Sequence, residues 1–172
     1  MRPLRRVVGV EAVPVELTDQ ARTASAFEEF FRSEYRRVLG LALALCGRSA
    51  VAEELAQDAF VSAYRHWDRV GGYDDPGAWV RRVVVNLSTS ALRRRSREVR
   101  ALTRLASRRE PEQALLVGDD EEFWRAVRAL PRRQAQCVAL RYLEDRTTEE
   151  VAAILGIAAP TVRVHLHAAR AA

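Results

Sequence analysis

The feature of this chain that most restricts its fold is a pair of short helical patterns separated by a single glycine, within residues 147–172. Two helices can cross closely when a small residue stands at the crossing, a glycine in the turn and a branched apolar residue in the second helix. Ala152, Gly156 and Val162 meet these three requirements in order. The spacing therefore predicts a helix-turn-helix. Its shared apolar core is expected to consist of Val151, Leu155 and Leu166.

The second helix of this pair is predicted to have one buried and one exposed face. Positions three or four apart fall on the same side of a helix, because each residue turns it by ~100°. The buried side is expected to hold Val162, Leu166 and Ala169. The exposed side is expected to hold Pro160, Arg163, Val164 and His167. A helix with such an exposed face can enter the DNA major groove, where arginine reads guanine and apolar groups contact thymine methyls.

The two histidines of this helix do not predict a metal site. Residues two apart on a helix point ~200° apart, so His165 and His167 cannot share one ion without other ligands. His165 lies nearer the buried side and is expected to be a packed ring. A helical hairpin without a role in DNA binding is the remaining alternative for this segment.

The rest of the chain carries further helical patterns and lacks the alternation that is typical of strands. Apolar residues recur at helical spacing from Phe27, and Gly47 ends that pattern. Ser49, Asp75 and Asp119 are each expected to cap the N-terminus of a further amphipathic helix. Together these patterns predict an all-α fold.

One basic segment accounts for the positive charge of the protein. All 28 basic residues are arginine, and the formal net charge is +5. Residues 93–109 contain eight arginines and one acid, Glu98, so this segment carries +7 and the remainder of the chain −2. A charge run is often only a solvated helix face. Its concentration in an otherwise near-neutral chain instead favours contact with an anionic partner such as nucleic acid.

The patterns divide the chain into two small helical domains joined by a flexible linker. Residues 25–97 form the first domain, residues 119–172 the second, and the polar residues 98–118 connect them. At ~3.3–3.6 Å per residue the linker can reach ~70 Å, about two turns of B-DNA at ~34 Å each. Residues 1–24 are interrupted by two prolines and show no sustained periodicity, so we expect a disordered or loosely docked arm.

Several other classes of protein are disfavoured by the sequence. The two cysteines, Cys46 and Cys137, lie in apolar helical patterns, which predicts reduced core residues of a cytoplasmic protein. No apolar run approaches the ~20 residues of a membrane span, and the N-terminal stretch lacks the apolar core of a signal peptide. The three histidines accompany no nucleophile–base arrangement, phosphate-binding loop or metal cluster. We therefore expect no enzyme, cofactor, metal, membrane contact or small-molecule substrate.

Three longer stretches carry a resemblance to a known family. The chain contains, in this order, "AVAEELAQDAFVSAYRHW", "DDPGAWVRRVVVNLSTSALRRRSR" and "ALPRRQAQCVALRYLEDRTTEEVAAILGIAAPTVRVHL". Together they resemble the extracytoplasmic-function group of the sigma-70 family of RNA polymerase sigma factors, most closely its SigE-like actinobacterial members. The resemblance covers roughly residues 26–170, and the order of three separate motifs makes it specific.

The resemblance implies a fold and a function. The first domain would be the sigma region 2 bundle and the second the sigma region 4 helix-turn-helix. Such a protein binds core RNA polymerase, recognises the minus-ten and minus-thirty-five elements of promoter DNA, and directs transcription initiation in the cytoplasm. The resemblance also allows an anti-sigma factor as a partner.

Three sets of residues match the binding motifs of that family. For contact with core polymerase, the resemblance implies Glu54, Leu55, Gln57, Asp58 and Val61. For the minus-ten element, it implies Tyr73, Arg82, Asn86, Arg93, Arg94 and Arg95. The minus-thirty-five element is assigned to Thr148, Thr161, Arg163, Val164, His167 and Arg170. A basic track with groups that accept an unstacked base is what binding of a single DNA strand requires.

The alternative interpretation is an autonomous helix-turn-helix transcription regulator that never binds polymerase. The N-terminal half discriminates between the two. In an autonomous regulator the stretches "AEELAQDAF" and "GAWVRRVVVN" would have no function. In a sigma factor, they are the parts that contact the polymerase and the minus-ten element.

Overall fold

The computed structural model describes residues 15–102 and 121–172, with side chains described for 21–91 and 121–172. All regular elements in these ranges are helices, which confirms the predicted all-α fold. They are α1 (Val15–Cys46), α2 (Ser49–Arg65), α3 (Trp67–Val70), α4 (Pro76–Leu102), α5 (Glu121–Ala129), α6 (Arg132–Val138), α7 (Thr148–Leu155) and α8 (Ala159–Arg170). A π-helical turn, Ala139–Leu143, continues α6.

The N-terminal unit, residues 15–102, is built from α1 to α4. Helix α1 ends where Gly47 adopts a left-handed φ of 69° and donates its N–H to the Leu43 carbonyl at 2.7 Å. Before that, α1 packs on α2 and α3 through aromatic rings with centroids 4.9–6.0 Å apart, a spacing at which rings attract each other. These rings belong to Phe27, Phe30, Phe31, Phe60 and Trp67.

Of the two N-cap residues predicted for this unit, one is confirmed and the other is wrong. Asp75 accepts a hydrogen bond from the Ala78 N–H at 2.9 Å, which confirms it as the cap of α4. The prediction that Ser49 caps α2 was wrong by one position, because Arg48 occupies the N-cap and Ser49 is the first helical residue. Arg48 makes no side-chain cap bond. Ser49, whose side chain is better suited to capping than that of Arg48, therefore already lies inside the helix.

The C-terminal unit, residues 121–172, contains the predicted helix-turn-helix. Helix α7 begins with a capping box in which the Thr147 hydroxyl accepts from the Glu150 N–H, while the Glu150 carboxylate accepts from the Thr147 N–H. It ends at Gly156, whose φ of 64° lies in the left-handed region that favours glycine. The chain then bends by 104° into α8, within the range of this motif.

Two predicted segment boundaries differ from the structure. Helix α1 begins at Val15, so the backbone of residues 15–24 is helical and not disordered, and α4 continues to Leu102, so the backbone of residues 98–102 is helical as well. Adding residues to an existing helix is favourable compared with starting a new one, so a helix can run beyond its apolar pattern. Residues 1–14 and 103–120, which include the expected cap Asp119, lie outside the described ranges.

The two units pack against each other and share a contiguous core. Helix α7 and the π-helical turn lie against α1 and α4 of the N-terminal unit. Buried apolar residues from both units form one cluster, which includes Val84 and Val85 of α4 and Val151 and Leu155 of α7. The sequence predicted two helical units, and the structure adds a direct contact between them.

Candidate functional site

The two faces of α8 are arranged as the helical wheel predicts. Val162 is fully buried and Leu166 is 7% exposed, because both pack against the inner face of α7 and α6. On the opposite side, Val164 is 65% exposed, which is unusual for a branched apolar residue. Its exposed neighbours are Pro160, Thr161, Arg163 and His167. The result is an uncovered polar and apolar strip that projects from the helix-turn-helix.

Arg163 is held near this strip by an exposed carboxylate. Its Nη1 lies 3.7 Å from Oε1 of Glu149 on α7, and 60% of the Arg163 side chain remains exposed. An ion pair this exposed is weak and does not prevent the guanidinium from meeting another acceptor. Arg163 therefore stays available for a bidentate contact with an external group.

Two other residues of the predicted minus-thirty-five set have different surroundings. Thr148 is half-buried as the first residue of α7, beside the cap Thr147. Arg170, at the end of α8, donates from Nη2 and Nε to the hydroxyl of Tyr142 at 2.7 and 3.3 Å. The structure thus brings Thr161, Arg163, Val164 and His167 together on one strip and leaves Thr148 and Arg170 at its margins.

Helix α4 carries the predicted minus-ten residues, and one of them is engaged with α7. Arg82 donates from Nε to the Ile154 carbonyl at 2.9 Å and from Nη2 to the Ala153 carbonyl. Both carbonyls lie in the last turn of α7, where helix carbonyls lack partners and attract cations. Asn86 is exposed, one turn further along α4. The side chains of Arg93, Arg94 and Arg95 lie outside the described residues, although their backbone belongs to α4.

A cleft separates the start of α4 from the helix-turn-helix. It has a volume of about 450 Å³. Its walls are formed on one side by Tyr73, Trp79 and Arg82, and on the other by Ala153 and Ile154 of α7. Tyr73 is 40% exposed in the loop before α4. An aromatic ring and a guanidinium beside an open cleft are groups on which a nucleobase can stack.

The residues predicted to contact polymerase form a single stripe on α2, with one exception. Glu54, Gln57, Asp58 and Val61 are three or four residues apart and exposed, so they lie along the same face. Leu55 is only 6% exposed and packs in the core. Its side chain therefore supports the stripe from below and does not belong to the surface.

A buried arginine that the sequence analysis did not single out lies between the two units. Arg81 on α4 is fully buried, and it donates to Glu34 of α1 and to Glu144 of the C-terminal unit, each at 2.6 Å. Its Nη2 also lies 2.6 Å from the Glu144 carboxylate but makes no hydrogen bond of its own. A sequence signal existed, because Arg81 stands three and four residues before Val84 and Val85 on the buried stripe of α4.

Glycine at position 77 makes room for this arrangement. A β-carbon on Gly77 would stand 2.6 Å from Nη1 of Arg81 and 3.2 Å from the carboxylate of Glu34. Neither group can move far, since Arg81 is fully buried and the Glu34 side chain is 19% exposed. The glycine at the start of α4 is thus explained by the ion pair that passes over it.

Further polar contacts flank the buried arginine. Gln136 on α6 is 3% exposed and donates to the Thr89 hydroxyl at 3.1 Å. Arg146, which precedes α7, contacts Asp75 at 3.0 Å and Glu150 at 2.9 Å. Burial lowers the pKa of Arg146, but the carboxylates of Glu150 and Asp75 outweigh it and raise the pKa overall. Its charge is therefore secure, and it ties the loop before α4 to the start of α7.

The cysteines, the potential metal ligands and the helix lengths of the described residues bear on other classes of protein. Cys46 and Cys137 are buried free thiols, and burial raises the pKa of both, that of Cys137 to about 11. Among the side chains that the structure describes, those of residues 21–91 and 121–172, no group of three metal-ligating residues occurs. No single helix there is long and apolar enough to cross a membrane. The bent pair α7–α8 meets that criterion only in combined length and composition.

Comparison with known proteins assigns each unit to a known family. Residues 30–98 match the family described as Sigma-70 region 2, and residues 120–172 match Sigma-70, region 4. The chain is 32% identical over 145 residues to RNA polymerase sigma-E factor of Streptomyces avermitilis, covering 84% of this chain and 81% of that protein. It is 31% identical over 150 residues to RNA polymerase sigma-E factor of Streptomyces coelicolor, covering 84% and 82%.

Two further similarities extend these matches. The ECF RNA polymerase sigma factor SigE of Mycolicibacterium smegmatis is 32% identical over 162 residues, covering 88% of this chain and 61% of that protein. Among solved structures, the sigma factor RpoE from Bartonella quintana, in complex with the anti-sigma factor NepR, has a TM-score of 0.68 and 24% identity. The match covers 84% of this chain and 91% of that one, and it confirms the fold.

Proposed function

Because the chain belongs to the sigma-70 family of RNA polymerase sigma factors, within its extracytoplasmic-function, SigE-like group, we propose that its two helical units divide promoter recognition between them. The protein is a sigma factor that binds core RNA polymerase and directs transcription initiation. The region 2 match over residues 30–98 favours this function over an autonomous regulator, which would have no use for that unit.

The C-terminal unit is proposed to read the minus-thirty-five element through α8. The single observation that supports this best is the exposed strip opposite the buried Val162 and Leu166. Arg163 offers two donors to a guanine edge, and Val164 offers an apolar group to a thymine methyl. Thr161 and His167 extend the strip along the groove, while Thr148 and Arg170 are assigned to the flanking DNA backbone.

The N-terminal unit is proposed to open and hold the minus-ten element. Tyr73 and Arg82 line the cleft before α4, where an unstacked base can be received. Asn86 follows on the exposed side of α4 and can hydrogen-bond to a displaced base. The arginines at positions 93–95 continue the helix and supply the basic track for the strand.

The exposed stripe of α2 is proposed to contact core polymerase. It combines two carboxylates, Glu54 and Asp58, with Gln57 and the 47% exposed Val61. A mixed surface of this kind suits a partner that offers basic groups around an apolar patch. Leu55 is assigned a supporting role beneath the stripe, because its side chain is buried.

We further propose the setting in which this sigma factor works. It would act in the cytoplasm, where the polymerase is, and would have no catalytic activity of its own. An anti-sigma factor is a proposed partner, by analogy with the RpoE–NepR complex among similar structures.

The test of the proposed function is a reconstituted transcription assay. The purified protein is combined with core RNA polymerase and genomic DNA, and the 5′ ends of the transcripts are sequenced. We expect start sites that are absent with core polymerase alone and that share two sequence elements upstream. Identical start sites with and without the protein would support the autonomous regulator instead.

The role of Asn86 in promoter opening gives a second test. Asn86→Ala should reduce initiation more on duplex promoters than on templates with a pre-melted minus-ten region, because melting supplies the unstacking in advance. The ratio of initiation on the two templates is the measurement. An equal loss on both would assign Asn86 a structural role.

A further inference from the structure

A carboxylate stands beside the arginine that is proposed to read the minus-thirty-five element. Oε1 of Glu149 lies 3.7 Å from Nη1 of Arg163, and 71% of the Glu149 side chain is exposed. Glu149 is the second residue of α7, whereas Arg163 belongs to α8. Each helix of the motif thus contributes one charged group to the same edge of the exposed strip.

This carboxylate does not favour general attraction to DNA. Helix α8 itself contains no acidic residue, so the negative charge beside Arg163 comes from the other helix of the motif. A carboxylate near the DNA backbone repels phosphate and weakens binding to every sequence. A group that weakens general binding increases specificity when it penalises the wrong contacts more than the right one. Glu149 is placed for that effect, because it contacts the reading group itself.

The neighbouring carboxylate has a different set of partners. Glu150 accepts from the Thr147 N–H at 2.7 Å and from Arg146 at 2.9 Å, which completes the capping box at the start of α7. Glu149 also lies in the first turn, where an acid is favoured by the helix dipole. That structural role requires no contact with Arg163, so it can be tested separately from a role in reading DNA.

The ion pair leaves one edge of the Arg163 guanidinium free. A guanidinium donates from each of its nitrogens, and a bidentate contact uses two neighbouring nitrogens. Because Nη1 is the atom that lies nearest to Glu149, the edge formed by Nε and Nη2 remains for O6 and N7 of a guanine. Holding the long side chain in one orientation before binding also reduces the conformational entropy that the contact costs.

We propose that Glu149 is a positioning residue that sets specificity at one minus-thirty-five base pair by orienting Arg163 towards guanine. This proposal rests on the proposed function, since it takes α8 as the reading helix. Glu149 itself does not contact the base. When the Arg163 guanidinium turns to a phosphate instead, the carboxylate loses its partner and faces the negative backbone, which disfavours binding to the wrong sequence.

The test uses the full chain with Glu149→Gln, which keeps the size of the side chain and removes its charge. Glu122→Gln is the matched control, because Glu122 is exposed and is the second residue of α5, as Glu149 is of α7. Each protein is incubated with a pool of duplex DNA whose central segment is randomised, and the bound fraction is sequenced. The total bound DNA gives the general affinity, and circular dichroism checks that the helices are retained.

We expect the wild type to enrich guanine at the position that Arg163 reads, and Arg163→Ala to lose this enrichment. Glu149→Gln should reduce the enrichment about threefold, near the lower end of the coupling measured between residues in contact. It should also bind the unselected pool more tightly, because a charge that repels phosphate is gone. Glu122→Gln should keep the wild-type preference.

A double variant shows whether Glu149 acts through Arg163. In the Arg163→Ala background, Glu149→Gln should cause no further change in preference, because no guanidinium is left to orient. A further loss of preference in the double variant would overturn the proposal. So would a Glu149→Gln protein that binds all sequences more tightly with the wild-type preference, since Glu149 would then only repel phosphate.

The same measurements separate this proposal from the proposed function. A wild-type chain that enriches no sequence from the pool would count against α8 as the reader, and therefore against the proposed function as well. Enrichment by the wild type that is lost in Arg163→Ala but unchanged in Glu149→Gln would overturn the role of Glu149 alone.

Discussion

The two surfaces proposed to meet DNA differ in accessibility. On α8 the outward strip is free, with Val164 65% exposed and only a weak ion pair between Arg163 and Glu149. On α4, Arg82 is bound to α7, and the neighbouring Arg81 is fully buried. DNA binding by the free chain should therefore report on α8 more than on α4, because Arg82 is engaged with α7.

The two surfaces also differ in how they are stabilised. The strip on α8 depends on local features of the helix-turn-helix, namely the capping box at Thr147 and Glu150, the left-handed Gly156 and the buried Val162. The covered face of α4 depends on contacts between residues 47–72 positions apart in sequence. Substitutions of exposed residues on α8 should thus affect the strip without altering the covered face of α4.

The largest effect is expected from Val162→Asp, with Val164→Asp as its matched control on the same helix. Val162 is fully buried, so a carboxylate there should destabilise the C-terminal unit by about 4 kcal/mol or more. Val164 is exposed, so its replacement should change the free energy of unfolding by less than ~0.5 kcal/mol. Thermal melts by circular dichroism measure both.

DNA binding by the same two variants distinguishes the two surfaces. Val162→Asp should lose duplex minus-thirty-five binding and gain single-strand binding, because unfolding of α7 uncovers α4. Val164→Asp should lose duplex binding only, since it places a carboxylate near DNA phosphates while the cover remains. Equal single-strand binding by the two variants would show that α7 does not block α4.

The next effect concerns α2, whose exposed stripe is accessible whether or not the units separate. Asp58→Arg should weaken binding to core polymerase about tenfold, because it reverses a charge in the proposed interface. Glu53→Arg makes the same charge change at the edge of this face, ~140° from Asp58 at ~100° per residue, and should have a smaller effect. Co-purification with core polymerase compares the two. Wild-type affinity of Asp58→Arg would remove this stripe from the interface.

A smaller and more selective effect is expected on α8. Arg163→Ala should cost ~1–3 kcal/mol and relax sequence preference at one or two minus-thirty-five positions, the value of one good base contact. His167→Ala should cost less, because a neutral imidazole offers a single donor. Binding to a set of promoter variants provides the measurement. If Arg163→Ala keeps the wild-type preference and Thr161→Ala loses it, the reading face is centred on Thr161.

The smallest effect is a loss of stability in acid. The backbone N–H of Thr147, followed by Arg146, holds the pKa of Glu150 below its usual value near 4.5. A lowered folded-state pKa stabilises the protein above the unfolded value, and this contribution is lost as pH falls through the lowered pKa. The C-terminal unit should therefore melt at lower temperature as pH falls below about 4.5.

Glu150→Gln is the control for that pH dependence. Glutamine can still complete the capping box but carries no charge to titrate. The variant should therefore fold at neutral pH and show a smaller decrease in melting temperature between pH 5 and pH 3, about the range over which a paired carboxylate titrates. A decrease equal to that of the wild type would assign the acid sensitivity to other carboxylates.

Much of the fold was predictable because its signals are local. Gly47 and Gly156 end helices because they adopt left-handed φ, and Asp75 caps α4 with an oxygen three residues from its donor. The division of α8 into a buried Val162 and an exposed Val164 follows from helical geometry alone. Some helices extend beyond their predicted bounds. These extensions, such as residues 15–24, have no periodic apolar face in the sequence.

The candidate sites were predictable in part. The exposed stripe of α2 has the expected residues except Leu55, whose position on the wheel lies between two faces and whose burial depends on the packing of α1. The roles assigned to the three sets of residues stay predictions. Among the groups that the motifs did not indicate are Arg81, Glu34 and Glu144, which meet across 47 and 63 positions of sequence.

Local sequence was sufficient for the helices, their ends and the side of α8 that faces outward, because hydrogen bonds and apolar periodicity act over a few residues. Whether the Arg82 guanidinium is free or engaged with α7, and which carboxylates pair with the buried Arg81, was decided by the packing of the helices. Charges interact through space rather than along the chain, so a pairing such as Arg81 with Glu144 leaves no periodic trace in sequence.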